Sequence, residues 1–140
     1  MLTKKNDWKI LFDNFIAKNR FKPFAWGTWD CCKFSNAVIK EMTGADLIPI
    51  NLKWKDEKTA MKAIKEYGGT ISKSIAKACK KKGAYQVPNE YMQKGDLVVY
   101  KEESELVGIS DGFKVITPSD DMIVAKQNVD ILSVWRISNG

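Results

Sequence analysis

The chain has 140 residues, 44% of them hydrophobic and 29% charged, and carries a net charge of +6. That composition suits one globular domain and leaves little room for a second, so residues 1–140 are read as a single unit. The chain contains no histidine, which excludes a Cys-His or Ser-His-Asp apparatus within it and every zinc site that needs imidazole.

The opening stretch MLTKKNDWKILFDNF has two lysines, but Asp7 and Asp13 interrupt what would be the apolar part of a signal peptide. No apolar run approaches ~18 residues, so no membrane span is expected and the expected location is the cytoplasm. Asn6 or Asp7 can cap a first helix, in which Trp8, Leu11, Phe12, Phe15 and Ile16 recur at helical spacing to about Lys18. Residues 21–28 hold Pro23 and Gly27 and read as a loop. Phe21, Phe24 and Trp26 should pin that loop to the core. Asp30 begins a second helix, with Cys31, Phe34, Val38 and Met42 on one face and Gly44 as its stop. Residues 45–55 form a connector. Asp56 starts a third helix, with Ala60, Ile64 and Tyr67 as packing positions. Thr70 or Ser72 caps a fourth, packed through Ile71, Ile75, Ala78 and Cys79.

After Pro88 the period changes to that of strands. Leu97–Tyr100, Leu106–Ser110, Phe113–Ile116, Met122–Ala125 and Ile131–Ile137 are the predicted strands, with Asp111-Gly112 as a hairpin turn. Helices followed by a small antiparallel meander make an α+β order.

The stretch Trp26-Gly27-Thr28-Trp29-Asp30-Cys31-Cys32-Lys33-Phe34 carries the most chemistry. With Asp30 as N-cap, Cys31 takes the first helical position. Backbone N–H groups there lack intrahelical partners, and the helix dipole favours negative charge. A thiol so placed can have a lowered pKa, and the same N–H groups can steady an oxyanion. The plainer role for Cys31 is a small apolar group that seats the helix on the sheet. A Cys31–Cys32 disulfide would be strained, because neighbouring Cα atoms are closer than a disulfide allows. No cysteine spacing suggests a metal site. No glycine pattern suggests a nucleotide, so no cofactor is expected.

The WG-x-x-DC-x-x-F element, followed by Gly95-Asp96-Leu97-Val98-Val99-Tyr100, Leu106-Val107-Gly108-Ile109 and a terminal Val134-Trp135-Arg136-Ile137, resembles an uncharacterised phage and prophage domain family. That family is similar in pattern to the NlpC-type, papain-like cysteine peptidases, and the resemblance spans roughly residues 8–137. It implies a papain-like core, with N-terminal helices on a small antiparallel sheet. Its peptidase members cleave peptidoglycan stem peptides with a Cys at a helix start, a His opening a His-Val-Gly-Ile strand and a third polar residue one strand later. Cys31 falls on the nucleophile position. Leu106 falls where the His would stand, and the third position lies around Lys114 to Thr117.

The resemblance therefore implies a scaffold without its general base. Asp30, Glu102, Glu103, Glu105 and Asp111 are the acids nearest in the pattern, and none takes the base position. A carboxyl of ordinary pKa, about 4, is a poor proton donor at neutral pH. Positioned acid–base chemistry is worth roughly 10²–10⁴ in rate. The expected role is a non-catalytic phage or prophage protein that binds a protein partner, a phage structural or host component, and is cytoplasmic or virion-associated. The alternatives are a cysteine hydrolase whose base is unusual or partner-supplied, and a basic effector binding nucleic acid or a host protein.

The last alternative comes from charge. Residues 1–85 carry 18 basic and 8 acidic side chains, whereas residues 86–140 carry 5 and 9. Lys73, Lys77, Lys80 and Lys81 form a stripe that is either a solvated helix face or an anion-binding surface. Aromatic residues do not interleave with it, so base stacking is not indicated. Core packing is the first expectation for Trp8, Trp26, Trp29, Trp54 and Trp135, with Trp26 over the Cys31 helix. Trp29 and Trp54, in or near loops, are the indoles that could instead mark a contact surface.

Overall fold

The structure, a computed structural model, describes residues 1–139. In chain order it contains β1 (Thr3–Lys4), α1 (Trp8–Asn19), α2 (Cys31–Thr43), α3 (Glu57–Tyr67), α4 (Ile71–Lys82), β2 (Tyr85–Val87), β3 (Leu97–Lys101), β4 (Glu105–Ser110), β5 (Val115–Pro118), β6 (Ile123–Lys126), β7 (Asp130–Arg136) and β8 (Ser138–Asn139). The architecture is α+β, with the helices first and an antiparallel sheet after them. No described helix is long and apolar enough to cross a membrane.

Local chemistry sets the helix starts. Asp30 accepts from the Lys33 amide at 2.9 Å and caps α2. Asp56 and Thr59 form a reciprocal capping box on α3, and Thr70 caps α4. Gly44 and Gly83 stop α2 and α4 in the left-handed conformation. Asp7 precedes α1, but its side chain makes no capping bond.

The six-stranded sheet runs β2-β7-β3-β4-β5-β6. Strands β3 to β6 are the expected meander. The last long strand departs from it, because β7 returns across the sheet to lie between β2 and β3. Short β2 carried too little pattern to be read as a strand, and with it the position of β7 was lost. A separate parallel pair, β1 with β8, ties the two ends of the chain together.

The core lies between α2 and the sheet. Phe34, Val38, Ile39 and Met42 of α2 are sealed against Val99, Val107 and Ile109. Each such side chain contributes roughly 1.5–3 kcal/mol by leaving water. Ile71, Ile75, Ala78 and Cys79 of α4 join the same core. The opposite sheet face has its own smaller cluster of Val98, Tyr100 and Val115, with Leu106 packed against it. Gly108 permits close packing of β4 on β5, since a Cβ there would meet Val115 Cγ1 at 2.7 Å and the Ile116 carbonyl oxygen at 2.8 Å.

Two expectations need correction. Phe21 is 72% exposed and pins nothing. The 21–28 loop is held instead by backbone, with the Phe24 amide donating to the Ser119 carbonyl at 2.8 Å and an Ala25–Trp29 bridge. Phe113 is also exposed, because the β4–β5 turn runs from Asp111 to Lys114 and its amides bond to the Asp111 carboxylate.

Candidate functional site

The glycine loop before α2 is folded around one carboxylate. Asp30 is 2% exposed. Its Oδ1 caps Lys33, and its Oδ2 accepts from the Gly27 amide at 2.9 Å and from Trp54 Nε1 at 2.6 Å. Gly27 has φ +82°, and a Cβ there would collide with the Trp54 carbonyl oxygen. The loop geometry thus requires glycine at 27 and brings a connector residue, Trp54, onto the start of α2.

Cys31 follows at the first helical position and is half-buried. The Cys32 thiol and the Val107 amide of β4 lie close enough to the Cys31 sulfur to act on its ionisation. The Cys32 thiol, foremost, and the Val107 amide hold the Cys31 pKa below the ordinary thiol value, against the opposing effects of burial and the Asp30 charge. Cys32 is pushed well above that value, because the neighbouring Cys31 sulfur favours its protonated form and it is itself buried. Burial raises the Cys79 thiol to about 12. All three thiols are free.

Cys31 packs against the edge of the core, as expected of a residue that seats α2 on the sheet, but it is half-buried rather than sealed. Cys32 is the buried thiol of the two, and both border a cavity of about 80 Å³. Trp26, Trp54, Met61, Glu105 and Leu106 share the walls of that cavity with Cys31. Side chains one residue apart on a helix point about 100° apart, so the two adjacent thiols are buried to different depths.

Leu106 borders this wall at the start of β4, while it also packs with Tyr100 in the cluster on the opposite sheet face. Opposite it in register is Tyr100, fully buried, with buried Thr117 of β5 close enough to act on its phenol. Burial, and to a lesser extent the neighbouring Cys31 charge, raise the Tyr100 pKa above the ordinary phenol value. Thr117 is thus the polar side chain of the Lys114–Thr117 stretch that acts on Tyr100.

The acids singled out in the sequence are otherwise engaged. Both Asp30 oxygens hold donors. Glu105 lines the cavity, but its Oε1 accepts from the Ser72 amide at 2.8 Å and the Ser72 hydroxyl at 2.7 Å, which lowers its pKa. Glu102 pairs with Lys126 at 2.8 Å, Asp111 sits in the β4–β5 turn, and Glu103 is exposed. Among the described residues, no carboxylate, lysine or arginine hydrogen-bonds to Cys31. The arrangement therefore offers a half-buried thiol of lowered pKa without an adjacent carboxylate or amine to carry a proton.

Trp29 is 3% exposed and packs edge-on against Phe34 at 5.2 Å, so it is core. Trp135 is buried and Trp8 half-buried, while Trp26 is 40% exposed at the cavity rim. Lys73, Lys77, Lys80 and Lys81 lie on the exposed face of α4 and do not line the Cys31 cavity, and Lys77 bonds to the Tyr67 carbonyl at 2.8 Å. Sequence reasoning missed the Trp54–Asp30 bond and the Glu105–Ser72 cap. Both join residues at least 24 positions apart, and nothing local marks them.

A cysteine-headed helix set against an antiparallel sheet defines the class of this site. Residues 3–137 match the family described as a domain of unknown function, DUF6950, and the chain belongs to that family. No curated protein matches the chain.

Proposed function

We propose that this chain is a non-catalytic binding protein of phage or prophage origin, with a papain-like, NlpC-type core whose catalytic site has degenerated. It serves as a tail-assembly or accessory component, and the Cys31 cavity receives an apolar side chain of a protein partner. The observation that carries this reading is Leu106 in the wall beside Cys31, where the resembling peptidases place their base. Trp26, 40% exposed, and Met61, 48% exposed, extend the apolar surface at the cavity mouth. Aromatic and methionine side chains at such a rim are typical of contact surfaces.

The second reading, a cysteine hydrolase, is favoured by one observation: the lowered pKa of Cys31. Such an enzyme would need a proton carrier from a partner. The test is incubation of the purified chain and Cys31→Ala with peptidoglycan stem peptides, followed by mass spectrometry. Intact peptides in both samples are expected. Cleavage that disappears in Cys31→Ala would replace the binding reading with the hydrolase.

A further inference from the structure

A second, larger cavity lies away from Cys31, where β1, the start of α1 and the end of β7 meet. Its volume is about 730 Å³, within the roughly 300–1,000 Å³ of small-molecule sites. Lys4, Lys5, Lys9, Lys94 and Arg136 line it, against the acid Asp7. Two of these cations are already matched. Arg136 makes two bonds to buried Asp96, at 3.0 and 2.8 Å, and Lys94 pairs with Asp13 at 2.6 Å.

Lys4 is different. It is only 5% exposed, yet among the described residues its ammonium has no hydrogen-bond or ion-pair partner and rests over the Trp8 ring at 4.2 Å. Burial of a cation is costly without a counter-charge. Burial lowers the Lys4 pKa, and the Arg136 and Lys9 charges add to that, while the Asp96 charge opposes them. The first turn of α1 faces the same cavity through Trp8, Lys9 and Ile10. It holds no acidic residue, and Asp7 makes no side-chain cap. The Trp8 amide donates to the Lys5 carbonyl at 3.1 Å, so the Lys9 and Ile10 amides are the helix-start N–H groups left to favour an anion, phosphate above all.

We infer that this cavity binds a small molecule bearing a diphosphate, with the Lys4 ammonium as buried anchor and the α1 amides, Lys5 and Lys9 as its further contacts. A diphosphate suits three unpaired ammonium groups better than a single carboxylate does, and the space exceeds what one phosphate fills. This site is separate from the Cys31 cavity and from the α4 lysine stripe.

The probe is inorganic pyrophosphate, titrated calorimetrically into the full chain, with acetate and a short single-stranded oligonucleotide as comparison arms. Saturable binding of pyrophosphate and none of acetate is expected. Loss of one charge-assisted contact in Lys4→Met should weaken binding by about tenfold to a hundredfold. Lys9→Ala, at an exposed position that leaves folding intact, should also weaken it. Replacing Lys73, Lys77, Lys80 and Lys81 together by alanine should change nothing. Absence of saturable pyrophosphate binding, or affinity unchanged in Lys9→Ala and Lys4→Met, would overturn the inference. So would tighter oligonucleotide binding that the α4 replacements abolish, since it would assign the basic surface to nucleic acid.

Discussion

Asp30→Ala is the most demanding perturbation of the site's framework. The side chain is 2% exposed and accepts three bonds, from Lys33 N and Gly27 N at 2.9 Å and Trp54 Nε1 at 2.6 Å. Removing an N-cap costs about 1 kcal/mol. Each of the other two bonds goes to a charged acceptor and is worth about 1.5–3 kcal/mol, with the orphaned donors left in a sealed loop. The terms share one side chain and do not add fully, so the expected total is about 3–5 kcal/mol. For a chain of this size that lowers the melting temperature by roughly 10–15 °C. Urea unfolding with matched slopes measures it. Trp54→Phe, which removes one of the three bonds, should cost about half as much. A loss below about 1 kcal/mol in Asp30→Ala would show that the carboxylate does not organise the loop.

The thiols should separate by reactivity. Iodoacetamide at neutral pH should label Cys31 before Cys32 or Cys79, with a midpoint below the ordinary ~8.5, and Cys32→Ala should raise that midpoint; mass spectrometry that found all three labelled equally would contradict the site geometry. Cys79, raised to about 12, stays protonated in the fold while the unfolded thiol ionises near 8.5, so its stabilising contribution is full below that pH and lost as pH rises toward 12. Between pH 8 and 10 the loss is about 2 kcal/mol, and unfolding curves of the wild type and Cys79→Val should diverge by that much; parallel pH profiles would refute the burial argument. Arg136→Met leaves Asp96 fully buried without its two-bond partner and should cost about 3–5 kcal/mol in urea unfolding, whereas a loss under 1 kcal/mol would mean that Lys4 already compensates the charge.

The helices were legible because their signals are local. Asp30, Asp56 and Thr70 cap where their side chains imply, and the 3.6-residue spacing of Ile71, Ile75, Ala78 and Cys79 marks a buried face. The strands β3 to β6 were legible within two residues of their ends for the same reason. The place of β7 was not, because strand order depends on pairing with β2, a three-residue strand on which Tyr85 and Gln86 are exposed. At the site, the position of Cys31 at the start of α2 was readable from Asp30 alone. Which of two adjacent thiols is the more deeply buried was not, since that depends on how α2 rolls against β4. The lysine-lined cavity was equally hidden, because Lys4 and Arg136 meet only after the chain ends pair through β1 and β8.

The non-catalytic reading rests on a thiol of lowered pKa that lacks the proton carrier to turn over. Reaction with p-nitrophenyl acetate, followed at the nitrophenolate absorbance in wild type and Cys31→Ala, tests it most directly. A Cys31-dependent burst close to one equivalent is expected, with the steady phase no faster than in Cys31→Ala, because general-base help worth roughly 10²–10⁴ in rate is missing. Sustained Cys31-dependent turnover, or no burst at all, would contradict the claim.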